Sequence, residues 1–156
     1  MAPKEISLAL VPRARLDVID VTQRITQEFG DLLQPYRRAL YCSYHTTAGY
    51  LEQSLCARLR YSRERVAPFI RAFQGLFPPG AGYRHDQLQF RAELSEEERR
   101  REPRNADSHL TFISSGLRNC VTYVNRPGTP VYFIDLDGIH EKGRRTRRTT
   151  VLGYDA

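Results

Sequence analysis

Ile6, Leu8 and Leu10 alternate with Ser7 and Ala9 and stop before Pro12, which is the period of a half-buried strand. Asp17 to Ile19 predicts a second short extended piece. From Thr22 the period changes. Ile25, Phe29, Leu32 and Leu33 recur at helical spacing, Asp20 or Thr22 can cap the start, and Pro35 ends the run. Ala39 to Tyr44 is a compact run of small and aromatic residues that predicts a strand buried on at least one face, with His45 at its end. Leu51, Leu55, Leu59, Val66, Ile70 and Phe73 return to near-helical spacing and predict one long helix or two shorter ones. Pro68 would remove a hydrogen bond in mid-helix, so a second helix is expected to start near Arg65 to Pro68, with proline in its first turn.

Phe77 to Gly82 reads as a turn-rich loop with two prolines and two glycines, and it leads into Tyr83, Arg84, His85 and Asp86. The segment SEEERRREPRN has no apolar residue. It predicts an exposed helix or a flexible excursion, with Ser95 as cap and Glu98 three positions on. Asn105 or Asp107 then caps a short helix that holds His109, Leu110, Phe112 and Ile113 and ends at Gly116. Three extended runs follow, Cys120 to Val124, Val131 to Leu136 and Thr146 to Leu152, parted by the turn signals NRPG and DGIHEKG. Strands around a central helical segment, with antiparallel hairpins at the end, indicate an α+β fold, and 156 residues suit one domain spanning 1–156.

Composition narrows the setting. No stretch approaches the roughly eighteen apolar residues of a membrane span, and MAPKEISLALV lacks the pattern of a signal peptide. Cys42, Cys56 and Cys120 are odd in number and hold no CxxC pair, so buried free thiols in a reducing, cytoplasmic setting are expected. The net charge of +6 is concentrated near the C-terminus, where Lys142, Arg144, Arg145, Arg147 and Arg148 fall close together. Such a group serves either as a solvated, charge-protected strand edge or as a site for phosphate-bearing ligands.

Three of the four histidines stand at transitions between elements: His45 after a strand, His85 after the Gly/Pro-rich loop, His109 in the first turn of a helix. Neutral imidazole suits zinc, and three protein ligands with an open fourth position form a common catalytic arrangement. A single histidine at such a place is usually just hydrogen-bonded. Here each has polar company able to orient it, Thr46 and Thr47, Asp86, and Asn105 with Asp107, as metal-bound histidines require. Capping and turn formation account for part of that pattern. The residues thus point to one divalent metal, zinc first, on His45, His85 and His109.

HTTAGYLEQ (His45 to Gln53), YRHD (Tyr83 to Asp86), NADSHL (Asn105 to Leu110) with Gly116 seven residues past the histidine, and DLDG (Asp135 to Gly138) followed by basic residues resemble, in order and spacing, the YjbQ-like family of secondary thiamine-phosphate synthases. The resemblance covers nearly the whole chain. It implies a compact α+β sandwich that assembles as a homotrimer, a histidine metal site on His45, His85 and His109 that opens to a pocket, and Asp86, Asn105 and Thr47 as neighbouring polar groups. The family activity it implies is a transferase reaction, weak thiamine-phosphate synthesis from a pyrimidine pyrophosphate and a thiazole phosphate. The chain departs from the family at Glu52, Gln53 and Ser54, where an Asn-Glu pair is usual. It departs again at Gly116, Leu117 and Arg118 in place of Gly-Ser-Ser, and at Gly128, Thr129 and Pro130 in place of Gly-Thr-Trp-Gln. A rebuilt pocket wall and a divergent member are expected.

On this reading the metal acts as a Lewis acid or lowers the pKa of a bound water. Asp86 is the candidate general base or orienting group, with Asn105 and Thr47 beside it. Thr46, Arg118 and a same-face pair, Arg145 and Arg147, are candidates for holding a small anionic substrate. One rival is a nucleotide or nucleic-acid binding module that uses the basic C-terminal strand with Tyr83 or Tyr154. Another is a catalytically silent trimer that binds metal for stability.

Overall fold

The computed structural model describes residues 1–156. In chain order it contains β1 (Lys4–Leu10), β2 (Asp17–Asp20), α1 (Val21–Phe29), β3 (Arg38–Ser43), β4 (Ala48–Gly49), α2 (Gln53–Arg58) and α3 (Arg63–Gln74). Two 3-10 turns follow, Arg84–Asp86 and Leu88–Phe90, and then α4 (Glu96–Arg101), α5 (Ala106–Ser114), β5 (Cys120–Val124), β6 (Tyr132–Asp135), β7 (Ile139–His140), β8 (Gly143–Arg144) and β9 (Arg147–Tyr154). The architecture is α+β with antiparallel pairing throughout.

Strand alternation builds the first layer. Ile6, Leu8 and Leu10 face inward from β1, Ala39 and Tyr41 from β3, Val121 and Tyr123 from β5, and Val151 from β9, in a sheet of order β1-β9-β3-β5. A second sheet, β2-β6-β4, lies against it. Its middle strand is buried on both faces: Phe133 joins the core shared with the first sheet, whereas Ile134 and Leu136 join a second core with Val66 and Ile70 of α3 and Phe112 of α5. A continuous apolar run is what burial on both faces demands. The layers are therefore sheet, sheet and helices, and the polar residues that continue β6 emerge between the second sheet and α5.

Two boundaries differ from expectation. The break between α2 and α3 comes from Arg60 and Tyr61, with φ of 57° and 50°, and not from Pro68, which lies inside α3. Proline there removes only its own N–H, and the packing of Val66 and Ile70 at 0% exposure holds the helix through it. α1 stops at Gly30, whose φ of 59° turns the chain before Leu32, so Leu32 is exposed while Leu33 is still carried into the core. Asp20 caps α1 by accepting from the Gln23 N–H. The charged stretch is a helix: Ser95 and Glu98 close a capping box, and Arg100 pairs with Glu96 at 2.6 Å. Of the cysteines only Cys56 is buried; Cys42 is half-buried and Cys120 exposed, contrary to three buried thiols. No helix is long and apolar enough to cross a membrane.

Candidate functional site

The chain places its acids and bases in one buried lattice where β6 runs out. Asp135 is fully buried and is bound in two-pronged fashion by Arg147 of β9, from Nε at 2.7 Å and from Nη2 at 2.8 Å. The same Nη2 donates to the Thr47 hydroxyl at 2.9 Å. Asp135 Oδ1 also accepts from the Asp137 N–H, which turns the chain so that Asp137 points back inward. Asp137 Oδ2 then accepts from Arg145 at 2.7 Å and from the Asn105 amide at 2.9 Å. Next to this, Arg15 grips both oxygens of Asp107 at 2.9 and 3.0 Å. Burial outweighs Arg15 there and raises the Asp107 pKa.

Two histidines join the lattice. The rings of His85 and His109 lie 4.8 Å apart, centroid to centroid, at 57°. Asp86 ties them to α5, because its Oδ1 accepts the Ala106 N–H at 3.0 Å and stands 3.3 Å from His85 Nδ1. A donor at Nδ1 leaves Nε2 as the free nitrogen of His85. Neither nitrogen of His109 has a hydrogen-bond partner. Burial, and then the neighbouring His85, lower the His109 pKa, which favours the neutral ring.

The lattice is incomplete. Asp86 Oδ2, Asn105 Oδ1, Asp137 Oδ1 and Arg145 Nε are all buried without a partner. Such atoms are costly to leave unsatisfied. Four carboxylates, of Asp86, Asp107, Asp135 and Asp137, face three guanidiniums, of Arg15, Arg145 and Arg147, which leaves one negative charge in excess. Beside His85 a cavity of about 530 Å³ is lined by Arg84, Gln87, Phe90, Arg91 and Glu93 as well.

Other predicted residues fall elsewhere. His45 spends Nε2 on the Arg148 N–H at 2.8 Å, and burial, followed by Arg147, lowers its pKa. No group of three His, Cys, Asp or Glu residues is placed to hold a metal ion, so the three-imidazole set does not fit this arrangement. Thr47 is a buried partner of Arg147, and Thr46 is exposed. The Asn105 amide bonds Asp137 instead of capping α5, which is capped by Asp86. Arg145 and Arg147 are not a free anion-binding pair, because each is committed to an aspartate. Arg118 pairs with Glu52 at 3.2 Å, beside Gln53, Ser54 and Cys120. Gly128, Thr129 and Pro130 line a separate cavity of about 360 Å³ beside α1, lined also by Asp20 and Tyr41 and by no histidine. Tyr83 and Tyr154 are half-buried.

No protein-family model and no curated protein matches the chain. Solved structures do. A protein from Sulfolobus solfataricus P2, described as YbjQ-like and of unknown function, superimposes with a TM-score of 0.65 over 99% of this chain and 98% of its own, at 14% identity. A member of the YjbQ/UPF0047 family from Clostridium acetobutylicum gives 0.59 at 17% identity, over 94% and 97%. A hypothetical protein from Aeropyrum pernix K1 gives 0.60 at 20%, over 98% and 99%. The chain has the YjbQ-like fold.

Within the YjbQ-like frame the four segments noted in the sequence acquire positions. HTTAG turns from β3 into β4, YRHD forms the first 3-10 turn, NADSHL opens α5 and DLDG ends β6. Both motif glycines sit where a side chain has no room: a Cβ on Gly49 would lie 2.5 Å from the Arg118 carbonyl oxygen, and one on Gly138 2.5 Å from that of Ala14. Sequence reasoning missed Asp137, Asp135 and Arg15 as members of the lattice. The spacing in DLDG offered a signal for the first two, since alternate residues at a strand end share a face. Nothing marked Arg15.

Proposed function

We propose that the His85–His109 pair, with the orphaned oxygens of Asp86, Asn105 and Asp137, is the centre of a small-molecule enzyme that takes one divalent cation, zinc first, and an anionic, phosphate-bearing substrate. The observation that carries this reading is the conjunction of two adjacent imidazoles, three unpartnered buried oxygens and a lattice one negative charge in excess. The donor types suit a cation of borderline softness, which accepts imidazole nitrogen and carboxylate oxygen together, and because no three of these side chains stand at metal-holding distance from one point, binding requires them to draw together. His45 lies outside the set.

When bound, the ion supplies Lewis acidity at an open coordination position. The chain does the rest. Asp86 orients the His85 ring through Nδ1, and burial lowers the His109 pKa, which favours the ring form that has a lone pair to offer. Arg145, aimed by Asp137, keeps a buried Nε–H unspent, a donor suited to a phosphate oxygen. Arg84 on the adjoining cavity favours entry of an anion, whereas Arg91 there is paired with Glu93 and Glu102. The thiamine-phosphate synthase reaction, condensation of a pyrimidine pyrophosphate with a thiazole phosphate, is the first transferase activity to assay, and a homotrimer the first assembly state.

Elemental analysis of tag-free protein tests the cation site. The expected result is one ion per chain, lost in His85→Ala and His109→Ala and kept in His45→Ala. Metal retained by His109→Ala, or none bound by folded wild-type protein supplied with zinc, overturns the proposal.

A further inference from the structure

Cys42 of β3 and Cys120 of β5 are directly opposed partners in the antiparallel ladder. The neighbouring pair, Ser43 with Asn119, carries the backbone hydrogen bond, from the Ser43 N–H to the Asn119 carbonyl at 2.7 Å. Hydrogen-bonded and non-hydrogen-bonded pairs alternate, so Cys42 and Cys120 occupy a non-hydrogen-bonded position, where Cα atoms stand about 4.5 Å apart and side chains are nearest. That separation falls within the roughly 4.4–6.8 Å range of disulfide-linked residues. The thiols already touch, at 2.9 Å between sulfurs. Both lie on the sheet face turned away from the core, Cys120 exposed and Cys42 half-buried, and a cavity of about 420 Å³ lined by Arg118 and Glu52 adjoins Cys120.

We propose that Cys42 and Cys120 form a reactive cross-strand dithiol, a modification site outside the histidine lattice that takes small disulfides and trivalent arsenicals. Toward a disulfide the exchange has two steps. The exposed Cys120 thiolate attacks one sulfur of the reagent, a Cys120–reagent bond forms, and a reagent thiolate leaves. Cys42 gives up its proton to solvent and attacks Cys120 Sγ, expelling the second reagent thiol. The protein is oxidised by two electrons and the reagent disulfide is reduced to two thiols.

The asymmetry of the pair sets this order. The Cys42 pKa is pushed up to about 12, first by burial and then by the hydrogen bond and charge of Cys120, so Cys42 is the poorer initial nucleophile. Capping Cys120 removes those last two contributions and frees Cys42 to resolve the mixed disulfide. The link would also reach the HTTAG turn, because Asn119, next to Cys120, donates from its side chain to the His45 carbonyl at 2.6 Å.

Titration with oxidised glutathione, read by intact mass and peptide mapping, tests the proposal. The expected outcome is loss of two hydrogens per chain, a Cys42–Cys120 peptide, and Cys56 free throughout. Cys42→Ser should stop at a glutathione adduct on Cys120, and Cys120→Ser should react far more slowly. Phenylarsine oxide should add once to wild-type protein and not to either serine variant. A wild-type adduct on Cys120 that persists without ring closure, a link between chains only, or reaction first at Cys56 would overturn it. Both serine variants keep a group of similar size on the outer face, so their folding is secure, and thermal melting of each provides the check.

Discussion

Replacing Arg147 with methionine is the most informative perturbation of the lattice. Arg147 and Asp135 are 2% and 0% exposed, joined by two short bonds, and Arg147 also holds Thr47. Unit charges about 4 Å apart attract by about 4 kcal/mol at an effective dielectric of about 20. Removing one partner strands the other charge in the interior, so Arg147→Met is expected to cost about 3–5 kcal/mol. A domain of about 10 kcal/mol, the middle of the ordinary range, remains folded after that loss. The double variant Asp135→Leu/Arg147→Met removes both charges and should cost much less than the two single changes together. It keeps a residual penalty of about 1–3 kcal/mol, since the Asp137 N–H then loses its acceptor. Urea titration by circular dichroism and tyrosine fluorescence gives the midpoint shifts, with an unchanged slope confirming that only stability has moved. A cost below about 1 kcal/mol for Arg147→Met, or strictly additive changes, would refute the reasoning.

The lattice also has a pH signature. His45 and His109 both have folded pKa values lowered by burial, so the unfolded chain binds more protons than the native state as pH falls through about 6.5. Stability from these rings is complete above that pH and is lost as pH drops toward their folded values. Urea midpoints measured between pH 8 and pH 5 should fall, and the fall should shrink in His45→Asn/His109→Asn. Gly138→Ala should cost about 1–3 kcal/mol, because its Cβ would meet the Ala14 carbonyl and Pro12 Cβ, both at 2.5 Å; a melting temperature equal to wild type would contradict that packing. Ser95→Ala should cost about 1 kcal/mol locally, seen as faster amide exchange in α4 with little change in the global midpoint.

What the sequence disclosed followed from how local each cause is. Alternation in β1, the capping box of α4 and the helical period of α3 are set within a few residues, and all three were legible. The kink at Arg60 and Tyr61 was less so, because backbone turns at non-glycine residues leave no compositional trace, and the stop at Gly30 was hidden by an apolar period that runs on to Leu33. The site was half legible. His85, Asp86, Asn105 and His109 come together through the 3-10 turn and the start of α5, yet His45 is drawn instead to the Arg148 backbone, a partner that depends on the register of β9.

The basic run shows why charge was the hardest signal to read. Taken alone, Arg145 and Arg147 looked like a ligand-binding pair on one strand face. Asp135 and Asp137 precede the β7–β8 hairpin, whose ladder pairs Ile139 with Arg144 and His140 with Gly143, and the two arginines follow it. That hairpin returns the chain alongside itself, and side chains before and after it meet in reverse order, Asp137 with Arg145 and, between the two sheets, Asp135 with Arg147. Two of the five cations are thereby neutralised from within, with Lys142, Arg144 and Arg148 left on the surface. The pairing leaves Asp137 Oδ1 and Arg145 Nε each buried without a partner, and the charges of both residues are felt at His109. An acceptor oxygen and a donor N–H left unspent in one buried lattice are the two kinds of atom that the proposed binding of a cation together with an anionic group would use.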